Sequence, residues 1–444
     1  MNTASKTPWY RRVGPGLITA CVVIGPGSIV TSSSVGANYG YSMLWIVIVA
    51  VVFQMTFMTL ASRLGCIETH SMGDLIRERG RKDLAIAVGL SVFFISAAFQ
   101  SGNNIGIAAV FESLFAGDQA QENNQFLISL LVILFNACAI IFLFAFRNLY
   151  QMVERMMMVL VALMLVSFAI NMLTLAPKPT AVVSGFVPSF DKLGIDVLGL
   201  VGTTFVISAA FYQAYLVRQK GWSQKDVAAG SIDVRVGVSI MAIITIMLMV
   251  TAAAGLHDDS GHTVKLANPV EIAKALEPTF GSTGKLIFCM GLFSAAYSSF
   301  LINSMIGGFV LSDGLGLGCS ATDRWPRIFT SMALLTGMAV ALGVIIFGFD
   351  RTPTIIAANA VTIVGSPLVA IVLVWLCGKK ELLGEHAAGT KLKCFAYLGV
   401  VLLLAMAART ALVTLPSSWK KYRSTSAQVS LLAQDNSAVE QTKE

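Results

Sequence analysis

Residues 14–28 read GPGLITACVVIGPGS, an apolar stretch in which two Gly-Pro-Gly groups enclose eight residues. Proline removes a backbone donor and clashes with the preceding turn of a helix, and glycine loosens the chain. The second group lies in the middle of an apolar segment over residues 14–34, at a depth where interrupted backbone is tolerated only if it is buried in protein or lines a cavity. The sequence therefore predicts a membrane helix that is broken at Gly25, Pro26 and Gly27.

The composition of the whole chain agrees with a membrane protein. Of its 444 residues, 56% are hydrophobic and 12% are charged, against about 25% charged residues in soluble proteins. Its apolar runs of about 20 residues exclude a β-barrel, whose strands alternate over about 10 residues. Eleven apolar segments are predicted, at about 14–34, 42–62, 84–115, 126–146, 152–176, 194–217, 236–255, 284–312, 328–348, 354–377 and 394–415.

The loops between these segments predict the orientation of the chain. Most Lys and Arg residues of the loops fall on one side if the N-terminus, residues 1–13, is cytoplasmic, and basic loops stay inside. The net charge of +7 therefore indicates membrane orientation and not nucleic acid. We expect a multi-pass protein of a plasma membrane, of the prokaryotic inner-membrane kind, with a polar tail over 416–444. Its expected surroundings are the lipid bilayer, without an obligate protein partner.

The sixth apolar segment, 194–217, is unusually polar for a membrane helix. It carries Ser208, Tyr212, Gln213 and Tyr215 in an otherwise apolar span. Because the first and sixth segments are five apart, they fit two inverted repeats of five helices, with a binding site where two broken helices meet. The predicted organisation is a first repeat over 14–176, a second repeat over 194–377 and an eleventh helix over 394–415.

Several stretches resemble the NRAMP (SLC11) divalent-metal transporters. The two Gly-Pro-Gly groups, followed by GANYGYSMLW (36–45), are similar to helix 1 of that family, in which the second group usually reads DPGN. LASRLGCIETHSMGDLIRERG (60–80), YQMVERMMM (150–158) and GLFSAAYSSFLINSMIGGFVLSDGL (291–315) resemble the end of helix 2, the start of helix 5 and helix 8. The resemblance, over about 11–415, implies an all-α LeuT-type 5+5 inverted repeat of about 11 transmembrane helices, with helices 1 and 6 broken.

The departures from the family pattern fall on its metal ligands. Gly25 and Ser28 stand where the family has the metal-binding Asp and Asn of helix 1. In helix 6, Ala210, Phe211 and Tyr212 replace a Met ligand followed by Pro and His. The resemblance therefore implies a retained scaffold with different ligand chemistry.

Positions on the family's proton path also differ. Gln100 and Asn103 stand where helix 3 usually has acidic residues, and Val217 replaces a second His of helix 6. Asn359 replaces a Gln of helix 10 that often joins the metal site. Since these residues cannot take up and release protons near neutral pH, and no Asp or Glu lies in the middle of an apolar segment, we expect transport without proton coupling.

The replacements favour a hard, hydrated cation. Met sulfur selects transition metals, whereas Mg²⁺ demands oxygen ligands and gives up its waters reluctantly. The pattern resembles the prokaryotic NRAMP-related magnesium transporters, which implies uptake of Mg²⁺, with Mn²⁺ also accepted, through a wide polar site. The candidate metal-site residues are Gly25, Ser28, Ile207, Ala210, Tyr212, Gln213, Asn103 and Asn359. The former proton path comprises Gln100, Asn103 and Val217.

Two other transport functions fit the same pattern. One is a proton-coupled Mn²⁺ or Fe²⁺ transporter with displaced ligands, and the other is an amino-acid transporter on the same fold. An enzyme is not expected, because no nucleophile–base pair or cofactor motif is present. No cofactor is expected beyond the transported ion.

Overall fold

The computed structural model describes residues 14–115, 121–145, 149–189, 194–257 and 269–414. Within these ranges, the side chains of Cys21, 113–115, 121–124, 149–153, 269–289 and 413–414 are not described. The predicted N-terminal segment 1–13 and the polar tail 416–444 lie outside the described residues.

The described residues form α-helices and a few short 3₁₀ or π turns. In chain order the helices are α1 Pro15–Val23, α2 Pro26–Tyr39, α3 Leu44–Ile67, α4 Met72–Arg79, α5 Lys82–Phe115, α6 Gln121–Ala145, α7 Leu149–Leu175, α8 Pro179–Ser184, α9 Ile195–Thr204, α10 Ile207–Gln219, α11 Val227–Leu256, α12 Pro269–Leu315, α13 Arg324–Ile346, α14 Arg351–Gly378, α15 Lys380–Leu383 and α16 Thr390–Arg409. This all-helical architecture confirms the predicted fold class.

Ten helical spans among the described residues are long and apolar enough to cross a membrane, with α9 and α10 counted as one. The broken pair α1 and α2 accounts for the first apolar segment, so the eleven predicted segments are all helical. Short helices α4, α8 and α15 lie in the connections. The side of the membrane on which the chain begins stays a prediction, and we call it the inner side.

Both predicted helix breaks are present and have similar backbone geometry. Helix α1 ends at Ile24, with φ −89° and ψ 82°, and α9 ends at Phe205, with φ −100° and ψ 78°. The next residues, Gly25 and Val206, continue in extended conformation before α2 and α10 begin. The similar turns fit a repeat relation between the two helices, while the exact boundaries of the repeats stay a prediction.

Helix α1 is held at its inner end by a buried carboxylate. Asp233 of α11 accepts hydrogen bonds from the backbone N–H of Gly14, at 2.7 Å, and of Gly16, at 2.5 Å. Two of the donors that a helix N-terminus leaves unpaired are thereby satisfied. The apolar segment 236–255 begins after this residue, but α11 begins at Val227, so a fully buried acid lies within a membrane-spanning helix.

A second buried carboxylate, Asp313 near the end of α12, joins three segments on the inner side. It accepts hydrogen bonds from Ser71 Oγ at 2.6 Å and from the Gly73 N–H at 2.7 Å, both at the start of α4. The Tyr215 hydroxyl of α10 donates to it at 2.6 Å, and Arg77 of α4 donates to its backbone carbonyl. Helices α4, α10 and α12 therefore meet at one side chain.

Candidate functional site

The first helix break lies against α5 and α12. A Cβ atom at Gly25 would lie 2.5 Å from Ser299 Oγ and 3.0 Å from Asn103 Oδ1. The φ of Gly25 is −112°, a value open to any residue, so glycine is required here by space and not by backbone conformation. The wider space expected from the loss of the family Asp is therefore occupied by a hydroxyl from α12.

Asn359 of α14 lies between the two broken helices. A Cβ at Gly27 of α2 would lie 2.4 Å from its Nδ2, and a Cβ at Gly202 of α9 would lie 2.9 Å from its backbone oxygen. Asn359 is fully buried, and neither its Oδ1 nor its Nδ2 has a hydrogen-bond partner. Because an unpaired buried polar group costs about 1–3 kcal/mol, this amide is suited to binding a polar ligand.

Asn103 of α5 presents its oxygen to the break. The Phe300 carbonyl can only accept, so the Gln100 amide turns its Nε2 towards it, at 2.5 Å. Gln100 Oε1 then accepts from Asn103 Nδ2 at 2.7 Å, and this leaves Asn103 Oδ1 on the side of Gly25. The hydrogen bonds thus determine which end of the Asn103 amide faces the site.

The predicted former proton path forms a chain of amides. Asn104 Nδ2 donates to the Gln100 carbonyl at 2.8 Å, and Asn136 Nδ2 of α6 donates to Asn104 Oδ1 at 2.6 Å. Val217, the third predicted member of the path, packs in an apolar cluster with Cys66. The structure therefore joins Gln100 and Asn103 directly and places Val217 elsewhere, at the inner side.

The last carbonyls of α1 are also engaged at the break. Ser28 Oγ donates to the Val23 carbonyl, and Ser299 Oγ donates to the Val22 carbonyl at 3.0 Å. The C-terminal end of a helix carries partial negative charge. Ser28 therefore binds the end of its own broken helix, next to the polar groups of α12.

The start of α10 contributes a compact wall on the other side. Ile207 begins this helix and Ala210 lies in its first turn, and both are fully buried. Between them, the buried Ser208 Oγ has no hydrogen-bond partner. The hydroxyls of Thr31 in α2 and Thr203 in α9 lie 3.1 Å apart and connect the outer halves of the two broken helices.

Two predicted site residues have partners closer to the inner side. Tyr212 stacks on Tyr215 with ring centroids 5.4 Å apart and meets Phe309 edge-on at 6.1 Å. The Gln213 amide lies 2.6 Å from the hydroxyl of Thr19 in α1. The structure thus brings Gly25, Gly27, Asn103 and Asn359 to the break, whereas Tyr212 and Gln213 occupy the contacts of α10 with α12 and α1.

The groups assembled at the break are neutral. Among the residues that the structure describes, no cluster of three or more His, Cys, Asp or Glu side chains could hold a metal ion. The site offers hydroxyl and amide oxygens, which hydrogen-bond water well but lack the charge to replace an ion's water shell. This donor set suits a ligand that keeps part of its own hydration.

Sequence reasoning missed three residues, namely Ser299, Asn303 and Asp233. The two consecutive serines and the Asn in α12 were visible only as a small-residue pattern typical of helix packing. Asp233 was taken as a loop residue, because it precedes an apolar run. The spacing of Ser299 and Asn303, one helical turn apart on α12, was the available signal.

Comparisons with known proteins give a consistent result. Residues 16–413 match the family described as Natural resistance-associated macrophage protein-like. "Divalent metal cation transporter MntH" of Pectobacterium carotovorum is 24% identical over 401 residues, which cover 89% of this chain and 92% of that protein. The MntH protein of Mycobacterium leprae is 24% identical over 402 residues, covering 87% and 88%.

Solved structures show the same fold. A crystal structure of the Eremococcus coleocola manganese transporter aligns with a TM-score of 0.76 and 17% sequence identity, over 92% of this chain and 88% of that one. It agrees with the LeuT-type fold with two broken helices described above. The match over most of the sequence shows that this chain belongs to the Natural resistance-associated macrophage protein-like family.

Proposed function

We propose that this protein is a membrane transporter of divalent cations that carries Mg²⁺, and also Mn²⁺, in a largely hydrated form and without proton coupling. Its curated relatives are named as divalent metal cation transporters, which supports the cation class. The more specific part of the proposal rests on the residues at the first helix break.

The observation that carries the proposal is the neutral lining of that break. Gly25 contributes no side chain, and the oxygens nearest to it are Ser299 Oγ and Asn103 Oδ1. Soft transition ions favour thioether and thiolate ligands, whereas Mg²⁺ favours oxygen and retains several waters. Hydroxyl and amide groups bind those waters, so such a site discriminates little in favour of transition metals.

A neutral site binds a dication weakly, and the membrane potential supplies the driving force. Retained water softens the cost of moving the ion out of bulk solvent, and the C-terminal carbonyls of α1 add partial negative charge. Two charges that cross 100 mV gain about 4.6 kcal/mol, since one gains about 2.3 kcal/mol. Uptake of Mg²⁺ down this potential needs no second ion.

The polar chain on α5 supports the absence of proton coupling. Gln100, Asn103 and Asn104 are linked by hydrogen bonds, and amides neither gain nor lose a proton near neutral pH. A second candidate, proton-coupled transport of Mn²⁺, is favoured by one observation, the buried Asp233 in α11. Its carboxylate, however, binds the N–H groups of Gly14 and Gly16 instead of facing the break.

The test is reconstitution of the full chain in liposomes with parallel Mg²⁺ and pH indicators. We expect an inside-negative potential to drive Mg²⁺ uptake with no accompanying acidification, and Mn²⁺ to compete with it. Acidification in step with Mg²⁺ entry, abolished in Asp233→Asn, would instead support the proton-coupled candidate. Uptake of labelled amino acids without any cation flux would contradict both and favour an amino-acid transporter.

A further inference from the structure

A hydroxyl from α12 fills the position that a side chain at residue 25 would occupy. Ser299 Oγ lies 2.5 Å from the Cβ position of Gly25, which is about where the carboxylate of an aspartate there would begin. Ser299 is 1% exposed. Helix α12 thus brings an oxygen to the break at the place where α1 carries no side chain.

Asn303 lies one turn further along the same face of α12 and leaves an oxygen unused. The Val22 carbonyl can only accept, so Ser299 donates its hydroxyl proton to it at 3.0 Å. A lone pair of Ser299 Oγ then accepts from Asn303 Nδ2 at 2.8 Å. This order leaves Asn303 Oδ1 as the other end of the amide, and that oxygen is buried without a hydrogen-bond partner.

An unpaired amide oxygen beside the end of a helix indicates a missing donor. Most buried polar side chains are paired, and an exception calls for an unmodelled water or ion. The C-terminal end of α1, represented here by Val22, carries partial negative charge, so the missing group is positive or is a water polarised by a cation. Asn303 Oδ1 and Ser299 Oγ provide two acceptors for such a water.

We propose that Ser299 and Asn303 of α12 form a specificity-determining part of the cation path, in which their oxygens accept hydrogen bonds from the water shell of the transported divalent cation. This assignment rests on the proposed function and adds a wall to the site that neither broken helix supplies. It also accounts for the close contact at Gly25, since the oxygen comes from α12 and any side chain at residue 25 would displace it.

The first test replaces the serine oxygen by sulfur. In Ser299→Cys we expect Cd²⁺ to inhibit Mg²⁺ uptake into liposomes at a concentration about tenfold lower than in the parent, because a soft thiolate prefers soft ions. The parent, with its native cysteines, sets the baseline. Ser304→Cys is the matched control, since Ser304 is buried on the same helix but bonds its own backbone at Leu301, and its Cd²⁺ sensitivity should equal that of the parent.

The second test removes the amide. We expect Asn303→Ala to raise the KM for Mg²⁺ by about tenfold, the loss of one hydrogen bond to a charged or polarised group, and to change the ratio of Mg²⁺ to Mn²⁺ uptake. Asn136→Ala is the control, because Asn136 is an equally buried Asn of α6 whose amide bonds Asn104 and Val132. A purely structural role for Asn303 would lower thermal stability without changing the ion ratio.

The outcomes separate this assignment from the proposed function. Cd²⁺ sensitivity confined to Ser299→Cys, or an altered ion ratio confined to Asn303→Ala, supports the assignment. If the parent carries Mg²⁺ and both variants match their controls, the assignment alone is overturned, and the cysteine variant decides if the alanine variant does not fold. A parent that carries no divalent cation overturns the proposed function and the assignment together.

Discussion

The two helix breaks have similar backbone geometry and very different surroundings. The first, at Ile24 and Gly25, is contacted by hydroxyl and amide groups of α5 and α12. The second, at Phe205 and Val206, is packed with rings: Phe205 lies 5.7 Å from Phe53 and 5.3 Å from Phe57 between ring centroids. The comparison indicates that one break carries the polar chemistry, whereas the other is held open by apolar packing and contributes its backbone.

The largest expected effect comes from the apolar break. Phe205→Ala should lower the free energy of unfolding by about 3–5 kcal/mol, the usual cost of removing a buried phenylalanine, and should leave the ratio of Mg²⁺ to Mn²⁺ uptake unchanged. Thermal unfolding in detergent and competition uptake measure the two quantities. Phe347→Ala, at a residue that is 74% exposed, is the control and should unfold like the parent. An altered ion ratio in Phe205→Ala would erase the division between the two breaks.

The next effect concerns the polar anchor of the first broken helix. Asp233→Asn replaces one of two acceptor oxygens by a donor, so the N–H of Gly14 or Gly16 loses its partner at a cost of about 1–3 kcal/mol. We expect a lower Tm in detergent. Asp323→Asn is the control, since Asp323 also accepts a backbone N–H, from Ser320 at 2.9 Å, but in an exposed loop where water replaces the bond. Equal Tm shifts in the two variants would argue against a structural anchor at Asp233.

The third prediction concerns ion choice at the polar break. Gly25→Asp combined with Ala210→Met restores a carboxylate and a sulfur ligand, and should shift the ratio of Mn²⁺ to Mg²⁺ uptake by about tenfold towards Mn²⁺. The carboxylate would compete with Ser299 Oγ for space, so Mg²⁺ uptake should also weaken. Competition uptake in liposomes measures the ratio, with each single variant as its control. Undiminished Mg²⁺ transport in the double variant would refute the argument from ligand softness.

The smallest expected effect separates space from charge. In Gly27→Ala the added Cβ meets Asn359 Nδ2, and the amide has to move by a few tenths of an ångström or more. We expect Mg²⁺ uptake to fall about threefold, as for modest overpacking. Gly343→Ala is the control, because a Cβ there meets no atom within 4 Å. Parent-like uptake in Gly27→Ala would show that the position of Asn359 is unimportant for transport.

The fold was largely predictable from the sequence, because membrane helices are long apolar runs and Gly25-Pro26-Gly27 interrupts one of them. The second break was placed in the right segment only by its matched position in the repeat. Neither Phe205 nor Val206 is a helix breaker, so the break arises from tertiary packing on α3 that no local pattern records.

The site was predictable in part. Gly25, Asn103 and Asn359 were identified from their positions in the family pattern, and the structure brings them to the first break. Ser299 and Asn303 were missed because an Asn or Ser in a membrane helix is more often a packing or interhelical contact. Which of them faces the break depends on the rotation of α12 against α1, and only the three-dimensional structure contains that rotation.

The inner-side contacts of Asp313 define where the bundle can separate. Three of its hydrogen bonds lead to α4, from Ser71, Gly73 and Arg77, and a single bond leads to α10, from Tyr215. Helix α4 and the end of α12 therefore behave as one mechanical unit. A movement that exposes the path to the inner side would divide the protein between α10 and α12, where breaking one bond to this carboxylate is enough.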